Sequence, residues 1–225
     1  MLAGIPALPY SVKRLLDFDF GWVLITFLVL VCSLTVHEMA HAWTADRLGD
    51  PTARRLGRVS LNPIVHIDLV GTVVLPIVAF VSGLPIIGWA KPVPVNPRAL
   101  RDPRRDFMLI AAAGPVSNVV MAILAAAALR GLTMTAPEST RGMLATGLLL
   151  ATHLNVLLAL FNLVPVPPLD GGNVLGGLLP PRLGDRYDAI VRPYGFLALY
   201  ALLLTGALDV VVFGPAISLT RVLIP

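Results

Sequence analysis

Two histidines four residues apart, with a glutamate directly after the first, stand at His37-Glu38-Met39-Ala40-His41. On a helix, residues four apart lie about 40° apart around the axis and one turn along it, so both imidazoles reach one ion. Glu38 lies roughly 100° from His37, close enough to hold a water at that ion and take its proton. Zinc asks for such a set, with neutral nitrogen ligands and an open position where water is acidified. Two histidines make half a site. Asp46 sits roughly 140° around the helix from His41 and cannot join them. The candidates for a third ligand are His66, Asp68, His153 and Asp170, and Asp170 is the strongest. It lies in Pro165-Val166-Pro167-Pro168-Leu169-Asp170-Gly171-Gly172. There the prolines stop a helix, and the paired glycines let the backbone turn tightly beside the carboxylate.

The elements that must position these groups are apolar. The 225 residues are 56% hydrophobic and 13% charged, about half the charge of a soluble domain, so most of the surface does not face water. Uncharged blocks run over residues 20–36, 69–90, 107–129, 142–169 and 193–208, and about 20 apolar residues suffice for a helix to cross a bilayer. The expected fold is an all-α polytopic membrane protein, a bundle of about four to six transmembrane helices with a reentrant Pro/Gly-rich segment. It reads as a single domain over residues 1–225, with a core at 20–172 and C-terminal membrane helices at 188–222. His37, Glu38 and His41 fall near the end of the first uncharged span, where ionisable groups are costly and default to function. The net charge of +4 speaks to topology and to the lipid bilayer as a partner, with no nucleic acid implied. One cysteine, Cys32, excludes an intrachain disulfide. No cleaved signal peptide is expected, because cleavage after the first block would remove the histidine motif.

Charge also predicts how the chain threads the membrane. The loop after the first helix carries Arg47, Arg54, Arg55 and Arg58, and the loop after the Pro/Gly block carries Lys91, Arg98, Arg101, Arg104 and Arg105. The next has only Arg130 and Arg141, and the one after that Arg182, Arg186 and Arg192. If 69–90 dips in and returns, the three basic loops share the cytoplasmic face, as positive charge prefers. Parity agrees. His37 and His41 end one helix and Asp170 follows the end of another, so those two helices must run the same way, with 107–129 antiparallel between them. A further break is expected at Gly214-Pro215 in the last apolar region.

Other polar groups read more quietly. His66 suits a group behind the ligands, a gate or an interfacial residue, and His153 a packing role. Asn118 and Asn162 suit hydrogen bonds between helices, and Gly114-Pro115 a close helix approach. Taken together, HEMAH and Phe161-Asn162-Leu163-Val164 running into Pro165–Gly172 resemble the site-2 protease family of intramembrane metalloproteases. Gly114-Pro115-Val116-Ser117-Asn118 and the run GWAKPVPVNP from Gly88 add to the likeness. The resemblance implies a minimal form without PDZ or CBS module, with one Zn2+ per chain on His37, His41 and Asp170 and Glu38 as general base. It implies a multi-pass protein of the cell membrane whose site opens toward the cytoplasmic side and cuts transmembrane protein substrates. Asn162, with Asn118 and His66, is a candidate for substrate positioning. Two rivals are weighed. An ion or proton transporter using the same His/Glu/Asp cluster predicts two repeated halves, and no repeat is seen. A catalytically dead membrane scaffold is opposed by the intact Glu38.

Overall fold

The first helix, α1 (Phe20–Arg47), carries the uncharged block at 20–36 on through the histidine motif without interruption. It holds no proline and no glycine beyond Gly21, so nothing interrupts it before Leu48-Gly49. Gly49 sits at φ +107°, a left-handed conformation open to glycine and strained for other residues, and the helix stops there. The computed structural model describes residues 20–75, 78, 82 and 88–224. A short α2 (Thr52–Arg55) follows, then a 3-10 turn at Pro63–His66 and a π turn at Leu69–Val74.

Helix α3 (Pro103–Thr135) exceeds the uncharged 107–129 at both ends. Proline fits the first turn, where no N–H is owed, and the Asp102 carboxylate caps it by accepting from Arg105 N at 3.2 Å. Helix α4 (Glu138–Asn162) is kinked at Gly142. After the proline turn come α5 (Asp170–Leu178) and α6 (Pro181–Val191), which passes through a 3-10 turn into α7 (Gly195–Leu204). No strand occurs among the described residues. Among the described residues, four helices are long and apolar enough to cross a membrane: Gly21–Arg47, Pro103–Thr135, Arg141–Asn162 and Pro181–Leu204. Their outer faces leave Phe27 53%, Val116 59% and Leu124 63% exposed, which suits lipid and not water. The protein is an all-α polytopic membrane protein.

Ten residues of the 69–90 block, 76–77, 79–81 and 83–87, lie outside the described residues, but the two ends of the block meet. Trp89 N donates to Gly71 O at 3.2 Å, and Thr72 Oγ1 donates to Trp89 O at 2.9 Å. A single crossing would separate such ends by about 30 Å, so the two ends of the block lie on one face. The basic loops share that face. Asp50 accepts from Asn96 N at 2.6 Å, and Arg58 donates to the carbonyls of Lys91 and Pro92. Arg104 donates to Gly176 O at 2.6 Å and Leu179 O at 2.9 Å.

The C-terminal region differs from expectation in one place. The chain turns at Gly206 (φ +72°), continues through a π turn at Asp209–Phe213, and enters α8 (Gly214–Leu223) without a break. Pro215 is tolerated because it falls in the first turn of α8, where it removes no helical hydrogen bond. Leu208 and Val212 pack against Val164 and Leu169, so this region supports the proline turn that carries Asp170.

Candidate metal centre

Helices α1 and α4 run the same way with α3 antiparallel between them, and their shared interior is polar. Ser33, His37 and His41 from α1, Asn118 from α3, and Thr152 and Asn155 from α4 are all buried. At one end of this core, three ligand atoms converge. His37 Nε2 and His41 Nε2 are 3.1 Å apart, and Asp170 Oδ2 lies 3.2 Å from the first and 3.4 Å from the second. Of the four third-ligand candidates, only Asp170 joins the histidines in a metal-competent group among the described residues.

The far side of each ring is held by an oxygen. His37 Nδ1 lies 2.6 Å from Asn118 Oδ1, and His41 Nδ1 lies 2.6 Å from the carbonyl of Ile110. Neither oxygen carries a hydrogen, so both Nδ1 atoms donate and, in the neutral rings, both Nε2 atoms present lone pairs. Asp170 Oδ2 is buried and receives no hydrogen bond. Three lone-pair atoms thus face one point, an arrangement that repels itself unless a cation sits between them. Zinc bonds of about 2.0–2.2 Å in a tetrahedron require ligand atoms about 3.3 Å apart, which the three distances bracket. Gly114 completes the cradle. A Cβ there would fall against His41 Nε2 and His37 Nε2, the edge where an ion must fit. Glu38 is half-buried on the same turn of α1, with His41, His37, Asp170 and His66 as its charged or titratable neighbours and Arg58 nearby.

The remaining candidates have other work. Asp68 caps the π turn, accepting from Val70 N at 3.1 Å and Gly71 N at 2.7 Å. His153 Nδ1 lies 3.1 Å from Thr220 Oγ1 and ties α4 to α8. Asn118 is fully buried with both ends of its amide engaged, so it serves His37 and has no free atom for a substrate. Asn162 donates to Leu158 O at 3.0 Å within its own helix. His66 is buried, bonded through Nε2 to Ser60 O at 2.8 Å, and its Nδ1 has no partner.

Three functional residues escape a sequence reading. Asn155 joins Asn118 to Ser33; an amide in an otherwise apolar helix is its only signal. Arg104, which looks like one more topology charge, grips the C-terminal end of α5, the helix that begins with Asp170. Asp50 pins the extended chain at Asn96.

Comparison with known proteins places this geometry in context. The description of peptidase family M50 matches residues 25–135 and 131–206. YwhC of Bacillus subtilis (strain 168) is 36% identical over 197 residues, covering 85% of each chain. Rip2 of Mycolicibacterium smegmatis is 30% identical over 190 residues, 84% of this chain and 67% of the relative. Rip2 of Mycobacterium tuberculosis (strain H37Rv) is 30% identical over 183 residues, 81% and 67% respectively. All three relatives carry the provisional name of a zinc metalloprotease. No solved structure matches.

Proposed function

The chain belongs to peptidase family M50, the site-2 proteases, and is a membrane zinc metalloprotease; from that premise we propose that it cuts peptide bonds within or beside membrane-spanning segments of other proteins. His37, His41 and Asp170 would hold the zinc ion, with Glu38 as the general base. The observation that carries this reading is the convergence of two Nε2 lone pairs and the unpartnered Asp170 Oδ2 on one buried point.

When bound, zinc supplies a Lewis acid that polarises the scissile carbonyl and acidifies water. The chain's own residues do the rest. Glu38 takes the proton of the attacking water as the C–O bond forms, and gives it to the nitrogen as the C–N bond breaks. A helical substrate hides its carbonyls in its own hydrogen bonds, so part of it must unwind first. Residues 88–96 form neither helix nor strand and are fixed through Trp89, Lys91 and Asn96. Their free edge is where an unwound substrate pairs as an added strand. The site faces the cytoplasm of the cell membrane, a reading supported by the basic loops gathered at its end of the bundle.

Glu38→Gln tests the assignment, because it keeps the shape and loses the base. Purified Glu38→Gln should retain about one zinc per chain and cut a transmembrane substrate about 10²–10⁴ slower. His37→Ala should lose both zinc and cleavage. Parental cleavage by Glu38→Gln would remove Glu38 as the base. An ion-conducting role would instead appear as flux through proteoliposomes that His37→Ala abolishes.

A further inference from the structure

One main-chain carbonyl governs a hydrogen-bond relay that ends at His37. Asn155 Nδ2 donates to Ala151 O at 2.8 Å and to Ser33 Oγ at 2.9 Å. A carbonyl only accepts, so the nitrogen of the Asn155 amide must face Ala151 and its oxygen must face the other way. That oxygen accepts from Asn118 Nδ2 at 2.8 Å, which turns Asn118 Oδ1 toward His37 Nδ1 at 2.6 Å. Ser33 cannot set this direction, since a hydroxyl gives or takes a hydrogen bond with equal ease. The whole relay is sealed. Ser33 is 1% exposed, His37 4%, and Asn118 and Asn155 0%. With no water at hand to substitute, reversing either amide would set N–H against N–H or oxygen against oxygen.

We propose that Asn155 is a positioning residue of the metal centre: through Asn118 it fixes His37 in the tautomer that leaves Nε2 free for zinc. The proposal rests on the assignment of His37, His41 and Asp170 as ligands. His41 obtains the same tautomer directly from Ile110 O. His37 faces α3 where no main-chain carbonyl is bonded to it, and it borrows one from α4 through two amides. The relay also explains an asparagine at position 155 in the middle of an apolar helix, where an unsatisfied amide would be costly.

The test is a double-mutant cycle on zinc affinity, read by chelator competition on the purified full chain in detergent. Asn155→Leu should weaken zinc about 10–100-fold, the usual effect of losing a group that orients a ligand. In an Asn118→Leu background, the same substitution should have no further effect, because the relay is already cut. Ser33→Ala should stay close to the parent, since Ala151 O still sets the amide. Asn155→Ser, whose hydroxyl bonds back to its own helix and falls short of Asn118, should match Asn155→Leu and serves if the leucine variant misfolds. Equal losses in both backgrounds would mark Asn155 as merely structural, and parental affinity in Asn155→Leu or Asn155→Ser would remove it from the centre. Either result overturns the proposal. If His37→Ala keeps its zinc, the ligand assignment itself fails and the relay with it.

Discussion

At the scale of single residues, the site depends on what is absent as much as on what is present. Gly114 faces the ligand edges of both histidines, and a Cβ there would occupy the space between their Nε2 atoms. Gly114→Ala therefore adds one methyl group where the ion must sit, and the hydrogen-bonded rings of His37 and His41 must shift to admit it, which outweighs any gain in helix propensity ahead of Pro115. The expected outcome is a protein that still folds, about 1–3 kcal/mol less stable than the parent, and at least about 10-fold weaker for zinc. Thermal unfolding and metal content, measured on the same sample, separate the two effects. Parental zinc content would show that the backbone shifts to admit the methyl. The sequence made the two histidines and Glu38 legible because a four-residue spacing on a helix leaves little choice of geometry. It left Gly114 as a packing residue, since nothing local tells which helix face a glycine turns toward a ligand.

Elements position the ligands through contacts that look incidental in the sequence. The stretch at 88–96 runs beside the end of α1 because Asp50 holds it there at Asn96. The buried Asp50 carboxylate accepts from Thr52 N at 3.0 Å, Thr52 Oγ1 at 2.5 Å and Asn96 N at 2.6 Å. Burial pushes this carboxyl up, but the hydrogen bonds from Thr52 and Asn96, with Arg55 nearby, outweigh it and hold it below the ordinary carboxylate value. A depressed value means the folded state favours the charged form. The stabilisation is complete above about pH 4, the unfolded value, and fades as pH falls through the lower folded value. Protection of the Asn96 amide against hydrogen exchange, corrected for the intrinsic rate, should hold from neutral pH to about 4 and drop below it. Asp50→Asn should lower protection at neutral pH and flatten its acid dependence. Protection that persists unchanged at pH 2 in the parent would show that Asp50 does not hold the segment. Such a latch was illegible beforehand because Asp50 and Asn96 are distant in sequence. Each alone reads as a turn residue.

For the whole molecule, two independent readings of the sequence pointed to one architecture, and the physical reason is that threading and chemistry share a constraint. Ligands at the ends of α1 and α4 can meet only if an odd number of crossings separates them. The loop charges gain most if the basic segments lie together. Both demand that 69–90 return to its starting face, and the bonds joining Trp89 to Gly71 and Thr72 meet that demand. What sequence could not supply was the C-terminal path, where Gly206 and not Gly214-Pro215 makes the turn. Composition marks a break without saying which glycine adopts a left-handed backbone. The orientation of the whole bundle leads to the last prediction. Single cysteines in place of Arg55, Arg101 and Arg182, in a Cys32→Ser background, should react with a membrane-impermeant maleimide only when the cytoplasmic face is accessible. A cysteine at Thr135, at the other end of α3, should react from the outside of intact cells. The first three positions lie on segments joined by hydrogen bonds from Arg58, Asp50 and Arg104, so they must label together whatever the orientation. If all four reverse sides, the fold stands and the site opens outward, where it could not reach cytoplasmic juxtamembrane segments. If Arg55 and Arg101 label from opposite faces, residues 69–90 cross the membrane once, and the shared direction of α1 and α4 is lost with it.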